Sequence, residues 1–344
     1  MDSLHSECDD EPGLTRPKVL ATDIAWPTDD VERAVLAAAG ATLVLAPTGD
    51  VAELSALAAD VDAILTCFAK VPAEVLDAAP RCRTIARYGV GVDNIDVEHA
   101  TRLGMVVSNV PVYCTEEVAD STLLAVLALA RRLIPLTRDV AAGGWGRSVP
   151  GTSVRLRGKV LGLVGLGEIA RALVPRARAI GLDVMAFSRS NSAESGIRRA
   201  ASLAELLGEA DIVSLHVPLT DDTRHLIGAG QLAAMKPTAW LVNTARGGLV
   251  DTVALLDALA TGAIAGAALD VTDPEPLPVD HPLRRRDDVV LTPHTAFSSD
   301  GSLAELASRA AGNVVDVLRG RVPHSVVNPE VLGSAALRAP LAPR

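Results

Sequence analysis

Short apolar runs alternate with helix-period segments along almost the whole chain. KVLATDI (18–24), TLVLAP (42–47), DAILTC (62–67), RTIARYG (83–89) and VVSNVP (106–111) read as strands, with helical stretches such as DDVERAVLAAAG (29–40) between them. Strands that alternate with helices predict parallel βαβ units. TEEVADSTLLAVLALARRL (115–133) predicts one long helix, with Thr115 as its N-cap and Glu116 and Glu117 in the first turn. The Gly-rich GGWGRSVPGTS (143–153) reads as a loop. A second α/β set follows: KVLGLVG (159–165), LDVMAFS (182–188), DIVSLHV (211–217), AWLVNTA (239–245), AGAALDV (265–271) and DVVLTP (288–293). A final helix is expected over about Leu303–Leu318, then a frayed tail, LGSAALRAPLAPR. The expected class is α/β, with two doubly wound parallel sheets.

Composition narrows the function. The chain has 344 residues, enough for two ordinary domains, with 49% hydrophobic and 22% charged residues. Its net charge of −10 argues against nonspecific nucleic-acid binding, which needs a basic surface. Lysine is confined to Lys18, Lys70, Lys159 and Lys236, a coding bias toward arginine and not a phosphate-binding surface. Cys8, Cys67, Cys82 and Cys114 show no CxxC or metal spacing and fit a reducing cytoplasm. The acidic start, MDSLHSECDDEPG, has no apolar core and is not a signal peptide. LLAVLALA (123–130) is too short to span a bilayer, so no membrane partner is expected. No metal site is expected.

Two constellations carry chemistry. VNTARGGLVD (242–251), LDVTDPEP (269–276) and LTPHTAFSS (291–299) bring Arg246, Glu275 and His294, each after an apolar strand. Ligands bind at the carboxyl ends of strands in parallel α/β sheets. A guanidinium there holds a substrate carboxylate and polarises a carbonyl. The imidazole supplies a proton, and the carboxylate favours its charged form. Taken singly, each has a plainer reading: a solvated histidine, a loop carboxylate, a backbone-stabilising arginine.

The second is VGLGEIA (164–170), at a strand-to-helix turn. Gly165 allows the tight turn, Gly167 the approach of a pyrophosphate, and Ala170 stands for the third small residue. About 20 residues on, where an acid would bind the ribose of NAD, stand Ser188, Arg189 and Ser190. Hydroxyls and a guanidinium suit a 2′-phosphate, so NADP(H) is preferred, with NAD(H) as the other option.

These segments, with RYGVGVDNID (87–96), resemble the D-isomer-specific 2-hydroxyacid dehydrogenases over about Val19–Asn328. NVPVYCTEEVADST (109–122) and HTAF look most like the branch of the C-terminal-binding-protein corepressors and their bacterial enzyme relatives. The resemblance implies Arg246, Glu275 and His294 as catalytic residues. It implies a cofactor set of Gly165, Leu166, Gly167, Glu168, Ile169, Ser188, Arg189, Ser190, Val217, Pro218, Thr223, Thr244, Ala245, Asp270 and Thr115. Asp270 could instead cap a turn, and Thr115 its helix. Arg87, Val90, Gly91 and Phe297 are the implied substrate contacts; a strand-end ion pair for Arg87 and a core place for Phe297 are the alternatives. The implied organisation is a disordered tail over 1–17, a discontinuous substrate domain (18–110 and 298–330), a Rossmann cofactor domain (111–297) and a tail over 331–344. The active site would lie in the cleft. A homodimer is implied, with Trp145 resembling a family tryptophan that reaches the partner subunit's active site; an ordinary interface aromatic is the alternative.

The resulting expectation is an enzyme that interconverts a 2-oxo acid and a D-2-hydroxy acid. The rival is a nucleotide-sensing corepressor-like binding protein, disfavoured by the missing long C-terminal tail and the missing acid at Ser188. The same chemistry on a specialised acid, such as a phosphonate or phosphoglycerate, stays open. Formate dehydrogenase is disfavoured because that branch lacks the glutamate found here as Glu275.

Overall fold

The alternating runs resolve into two parallel sheets in a computed structural model, which describes residues 16–146, 149–188 and 197–342. The chain divides into two compact units, one of Met1–Tyr113 with Leu303–Arg344 and one of Cys114–Ser302.

The first unit carries β1 (Lys18–Ala21), α1 (Asp30–Ala37), β2 (Thr42–Leu45), α2 (Val51–Ala58), β3 (Ala63–Thr66), α3 (Ala73–Asp77), β4 (Thr84–Arg87), α4 (Val97–Arg102) and β5 (Val106–Ser108). Its sheet order is β2-β1-β3-β4-β5, parallel throughout the described strands. Leu20, Ile64, Ile85 and Val107 pack one face against Leu54, Val75, Leu76 and Ala100 of α2, α3 and α4. Strands buried on both faces read as unbroken apolar runs, which is why they were visible without an alternating pattern.

The second unit holds α5 (Thr115–Ala130), α6 (Leu133–Ala141), β6 (Val160–Val164), α7 (Glu168–Ala179), β7 (Asp183–Phe187), β8 (Arg198–Arg199), α8 (Leu203–Glu209), β9 (Ile212–Leu215), α9 (Ala229–Ala233), β10 (Trp240–Asn243), α10 (Thr252–Thr261), β11 (Gly266–Leu269) and β12 (Val289–Leu291). The order is β12-β11-β10-β9-β6-β7-β8, again parallel. Leu161, Leu163, Leu173 and Val126 pack on one side, and Val213, Leu241, Leu206 and Leu255 on the other. The last helix, α11 (Asp300–Leu318), starts three residues earlier than expected.

Three local expectations need correction. The helix over 115–133 is broken: Arg132 adopts φ 57° and a second helix begins at Leu133. Pro135 explains the break, because its ring has no N–H and would clash with the carbonyl four residues earlier. Thr115 is the first helical residue and not the cap. Cys114 takes the cap position without a side-chain capping hydrogen bond. The tail over 331–344 is not frayed over its described part. Ala339 is buried, Arg338 donates to the carbonyls of Ala79 and Cys82, and Ala342 bridges Arg321. The tail expected over 1–17 lies outside the described residues except for Arg16 and Pro17.

Candidate active site

β10, β11 and β12 are neighbours, with Asn243, Leu269 and Leu291 in register at their carboxyl ends. Arg246, Glu275 and His294 follow these three ends within one unit. The turn after β10 presses on the loop after β11: a Cβ on Gly247 would lie 1.9 Å from the Thr272 carbonyl oxygen. Only glycine permits that approach. Thr272 in turn donates its backbone N–H to Glu275 Oε2 at 3.3 Å. Glu275 Oε1 lies 2.6 Å from His294 Nδ1.

The His294 turn is fixed from below. His294 sits at φ 54° and its N–H donates to the Asp270 carbonyl at 2.7 Å. The buried Asp270 carboxylate accepts from Thr292 Oγ1 and from the N–H groups of Thr295 and Ala296. Asp270 thus caps this turn. The Phe297 ring stands edge-on to the imidazole, 6.0 Å between centroids.

Burial alone would push the Glu275 carboxyl up. The hydrogen bond and charge of His294, the Thr272 N–H and the charge of Arg246 outweigh it and hold Glu275 below the ordinary carboxylate value. An ionised carboxylate at Nδ1 requires a proton there, so the imidazole is presented either charged or as its Nδ1–H tautomer.

At β6, Gly165 adopts φ 98°, and a Cβ there would lie 2.5 Å from the His216 carbonyl oxygen and 2.9 Å from Val217 Cγ1. The glycine turn and the Val217 loop after β9 are thereby in direct contact. Space beside Gly167 is open, and no side chain caps α7, so its first-turn N–H groups are available to an anion. Leu166, Glu168 and Ile169 line this helix start, while Ala170 is fully buried. Thr223 Oγ1 donates to the Pro218 carbonyl, Thr244 Oγ1 meets Thr122 Oγ1 at 3.0 Å, and the Ala245 N–H donates to Asn243 Oδ1. This cradle fits a dinucleotide.

Ser188 directly follows β7, and Gly165 donates its N–H to the Phe187 carbonyl beside it. Arg189 and Ser190 lie outside the described residues. Arg199, given no role by sequence reasoning, places Nη2 3.2 Å from the Ser188 carbonyl oxygen. The doubled arginine at 198–199 was the available signal. Arg198 differs, since it pairs with Glu209 at 2.6 Å.

Arg87, Val90 and Gly91 belong to the other unit. Arg87 ends β4 and is 8% exposed, whereas Val90 is 44% exposed. Asn109 Nδ2 donates to the Val90 carbonyl at 2.7 Å and steadies the turn. Asp23, also missed in the sequence, accepts the N–H groups of Cys67, Phe68 and Ala69 after β3. Cys67 and Cys82 are buried thiols pushed up to about 12, which leaves them inert. Among the described residues no metal-binding group of His, Cys, Asp or Glu occurs. No helix there is long and apolar enough to cross a membrane.

The NAD binding domain of the D-isomer specific 2-hydroxyacid dehydrogenases matches residues 123–296. A glyoxylate reductase from Aeropyrum pernix is 44% identical over 285 residues, 80% of this chain and 85% of its own. A D-3-phosphoglycerate dehydrogenase from Methanocaldococcus jannaschii is 43% identical over 268 residues, 75% of this chain and 50% of that longer one. A solved NADPH-dependent glyoxylate/hydroxypyruvate reductase from Sinorhizobium meliloti, in complex with NADP and malonate, has a TM-score of 0.80 at 31% identity, covering 94% of this chain and 98% of its own.

Fold, nucleotide cradle and relatives together define an NAD(P)-dependent dehydrogenase that interconverts 2-oxo and 2-hydroxy acids. The chain belongs to the D-isomer-specific 2-hydroxyacid dehydrogenase family. These relatives do not single out the corepressor-like branch within it.

Proposed function

We propose that the protein reduces a small 2-oxo acid of the glyoxylate type, with NADPH preferred over NADH and a 2-hydroxy acid as product, of D configuration where C2 is chiral. The observation that carries this reading is the 2.6 Å contact between Glu275 and His294 beside Arg246, at the carboxyl edge of three adjacent strands. The first-turn N–H groups of α7 and the Gly165–Gly167 turn would hold the pyrophosphate. When bound, the nicotinamide cofactor supplies hydride to the carbonyl carbon.

The remaining work falls to the chain's own side chains. Arg246 offers a planar cation to the substrate carboxylate and carbonyl oxygen. Arg87 and the N–H groups of the Val90–Gly91 turn provide a second anion-binding element. Glu275 fixes Nδ1, which assigns proton transfer to His294 Nε2: a proton there passes to the carbonyl oxygen as the alkoxide forms. Phe297 walls the side-chain pocket. The absence of an acid at Ser188 and the nearness of Arg199 support a 2′-phosphate, and glyoxylate reductase relatives support a small substrate. The enzyme works as a homodimer in the cytoplasm.

The test is oxidation of NADPH and NADH against glyoxylate, hydroxypyruvate, pyruvate, and branched, aryl and phosphonate 2-oxo acids. Turnover with glyoxylate or hydroxypyruvate and NADPH is expected to lead the panel. No turnover with any of these acids would reject the reading, and equal use of both cofactors would reject the NADPH preference.

A further inference from the structure

Behind the Arg87–Gly91 turn lies a polar group with no part in the chemistry above. Glu32 of α1 is 0% exposed, on the face that also buries Leu36. Tyr88, next in the chain to Arg87, is 1% exposed. The Trp26 ring meets the Tyr88 ring edge-on, 5.0 Å between centroids. Both Glu32 carboxyl oxygens, the Tyr88 hydroxyl and Trp26 Nε1 are buried, and none of them makes a hydrogen bond of good distance and angle.

The Tyr88 hydroxyl and the Trp26 N–H both face the Glu32 carboxyl. Burial pushes that carboxyl up, against smaller opposing pulls from its own backbone, from Tyr88 and from Trp26; Asp29 adds a slight upward push. Tyr88 is pushed well above its ordinary value by burial first and by Glu32 second. An apolar side chain at position 32 would pack without this desolvation cost.

Tyr88 sits at a mechanical junction. Its N–H donates to the Thr66 carbonyl at 2.8 Å, the Gly89 N–H donates to the Arg87 carbonyl at 3.0 Å, and the Val110 N–H donates to the Gly89 carbonyl at 2.9 Å. The backbone on either side of Tyr88 is therefore held. Its side chain, between Arg87 and Gly89 in the chain, is packed edge-on against Trp26.

We propose that Glu32 is a positioning residue for substrate binding: through the buried Tyr88 and Trp26 it sets the orientation of the Arg87–Gly91 turn that meets the substrate carboxylate. This rests on the reading of that turn as the carboxylate site. Glu32 touches neither substrate nor cofactor. Its effect should therefore appear in the KM for the 2-oxo acid and not in the KM for the nicotinamide cofactor.

The experiment compares Glu32→Leu, Glu32→Gln, Tyr88→Phe, the double variant Glu32→Leu/Tyr88→Phe, and Arg87→Ala in the full-length protein, with glyoxylate and NADPH. Glu32→Leu should raise the KM for glyoxylate by about tenfold with the KM for NADPH changed by less than about twofold. Glu32→Gln should restore most of the affinity, because it keeps a polar group facing both donors. The double variant removes the Glu32 and Tyr88 polar groups and leaves only the Trp26 N–H buried, so its Tm should stay near that of the wild type while the KM for glyoxylate stays high. The two single effects should not add, as expected for residues in one unit.

A merely structural Glu32 would instead give a lower Tm with KM unchanged, and that result overturns the proposal. If Glu32→Leu does not fold, Glu32→Gln and the double variant carry the same test. If Arg87→Ala raises the KM for glyoxylate and the Glu32 and Tyr88 variants do not, this proposal alone fails. If Arg87→Ala leaves it unchanged, the carboxylate reading of the turn fails and takes the proposal with it.

Discussion

The Glu275 carboxylate lies against His294 Nδ1 and is held ionised by its neighbours, despite its partial burial. An ionised partner stabilises the imidazolium that donates the proton. His294→Ala should therefore lower kcat for reduction by about 100-fold or more. Glu275→Gln keeps the shape but removes the charge, and the alkaline limb of the reduction profile should move to lower pH. Steady-state rates across pH decide this. Near-normal turnover in His294→Ala would place the proton donor elsewhere. A different histidine offers a test of stability. Burial pulls His216 down to about 4 from 6.5, while Ser214 Oγ stands 2.9 Å from its Nε2. In the folded protein it is neutral above about 4, whereas the unfolded chain takes up a proton below about 6.5. Between those values the unfolded state binds more protons, so stability falls as pH drops. The loss is at most about 3 kcal/mol. The urea midpoint of the wild type should thus decline toward acid more steeply than that of His216→Asn. Parallel declines in the two proteins would show that His216 titrates normally in the folded state.

At the scale of elements, each of the eleven apolar runs contains a strand, from Lys18–Ala21 to Val289–Leu291. The inner strands are buried on both sides, so hydrophobicity alone marks them, and the edge strands, such as β2 with Thr42 and Leu45 exposed, keep enough apolar positions to be read the same way. β8 was invisible because Arg198–Arg199 has no apolar side chain and pairs only at the sheet edge. The break at Arg132 was written in Pro135 but hidden by the strong apolar run before it. The tail beyond Gly333 reads as frayed because it carries no helix or strand pattern; what holds it is contact with distant segments, through Arg338 on the carbonyls of Ala79 and Cys82, buried Ala339 and the Ala342–Arg321 bridge. The candidate site divides the same way. Arg246, Glu275 and His294 were visible because each follows a strand. Their meeting depends on β11 and β12 being neighbours in register, which brings residues 19 apart into contact. Asp270 was visible only as an ambiguous strand-end acid. Its three bonds to the His294 turn exist because that turn folds back over β11. Asp23, Arg199 and Glu32 were missed because their importance comes from cross-strand proximity and burial, not from local pattern.

For the whole molecule, exposed apolar surface is the informative quantity. Leu124 is 61% exposed on α5, Leu133 and Val140 are 46% and 51% exposed on α6, and Trp145 in the following loop is 82% exposed. Four large apolar side chains exposed along two successive helices and the loop after them are costly to leave in water, and contiguous apolar surface of this kind marks association surfaces. The net charge of −10 makes nucleic acid an unsuitable cover, and a second copy offers the same apolar patch to itself. A twofold axis lets one patch serve both subunits, the commonest arrangement for soluble oligomers. Sedimentation equilibrium at micromolar concentration should therefore give twice the 35.6 kDa chain mass. Leu124→Glu with Trp145→Glu places two carboxylates in that surface and should return a monomer, with secondary structure retained, since neither side chain belongs to a described core. A wild type that sediments as a fully active monomer would remove the dimer, and with it any role for Trp145 across an interface. A dimer that survives both substitutions would move the interface to another face.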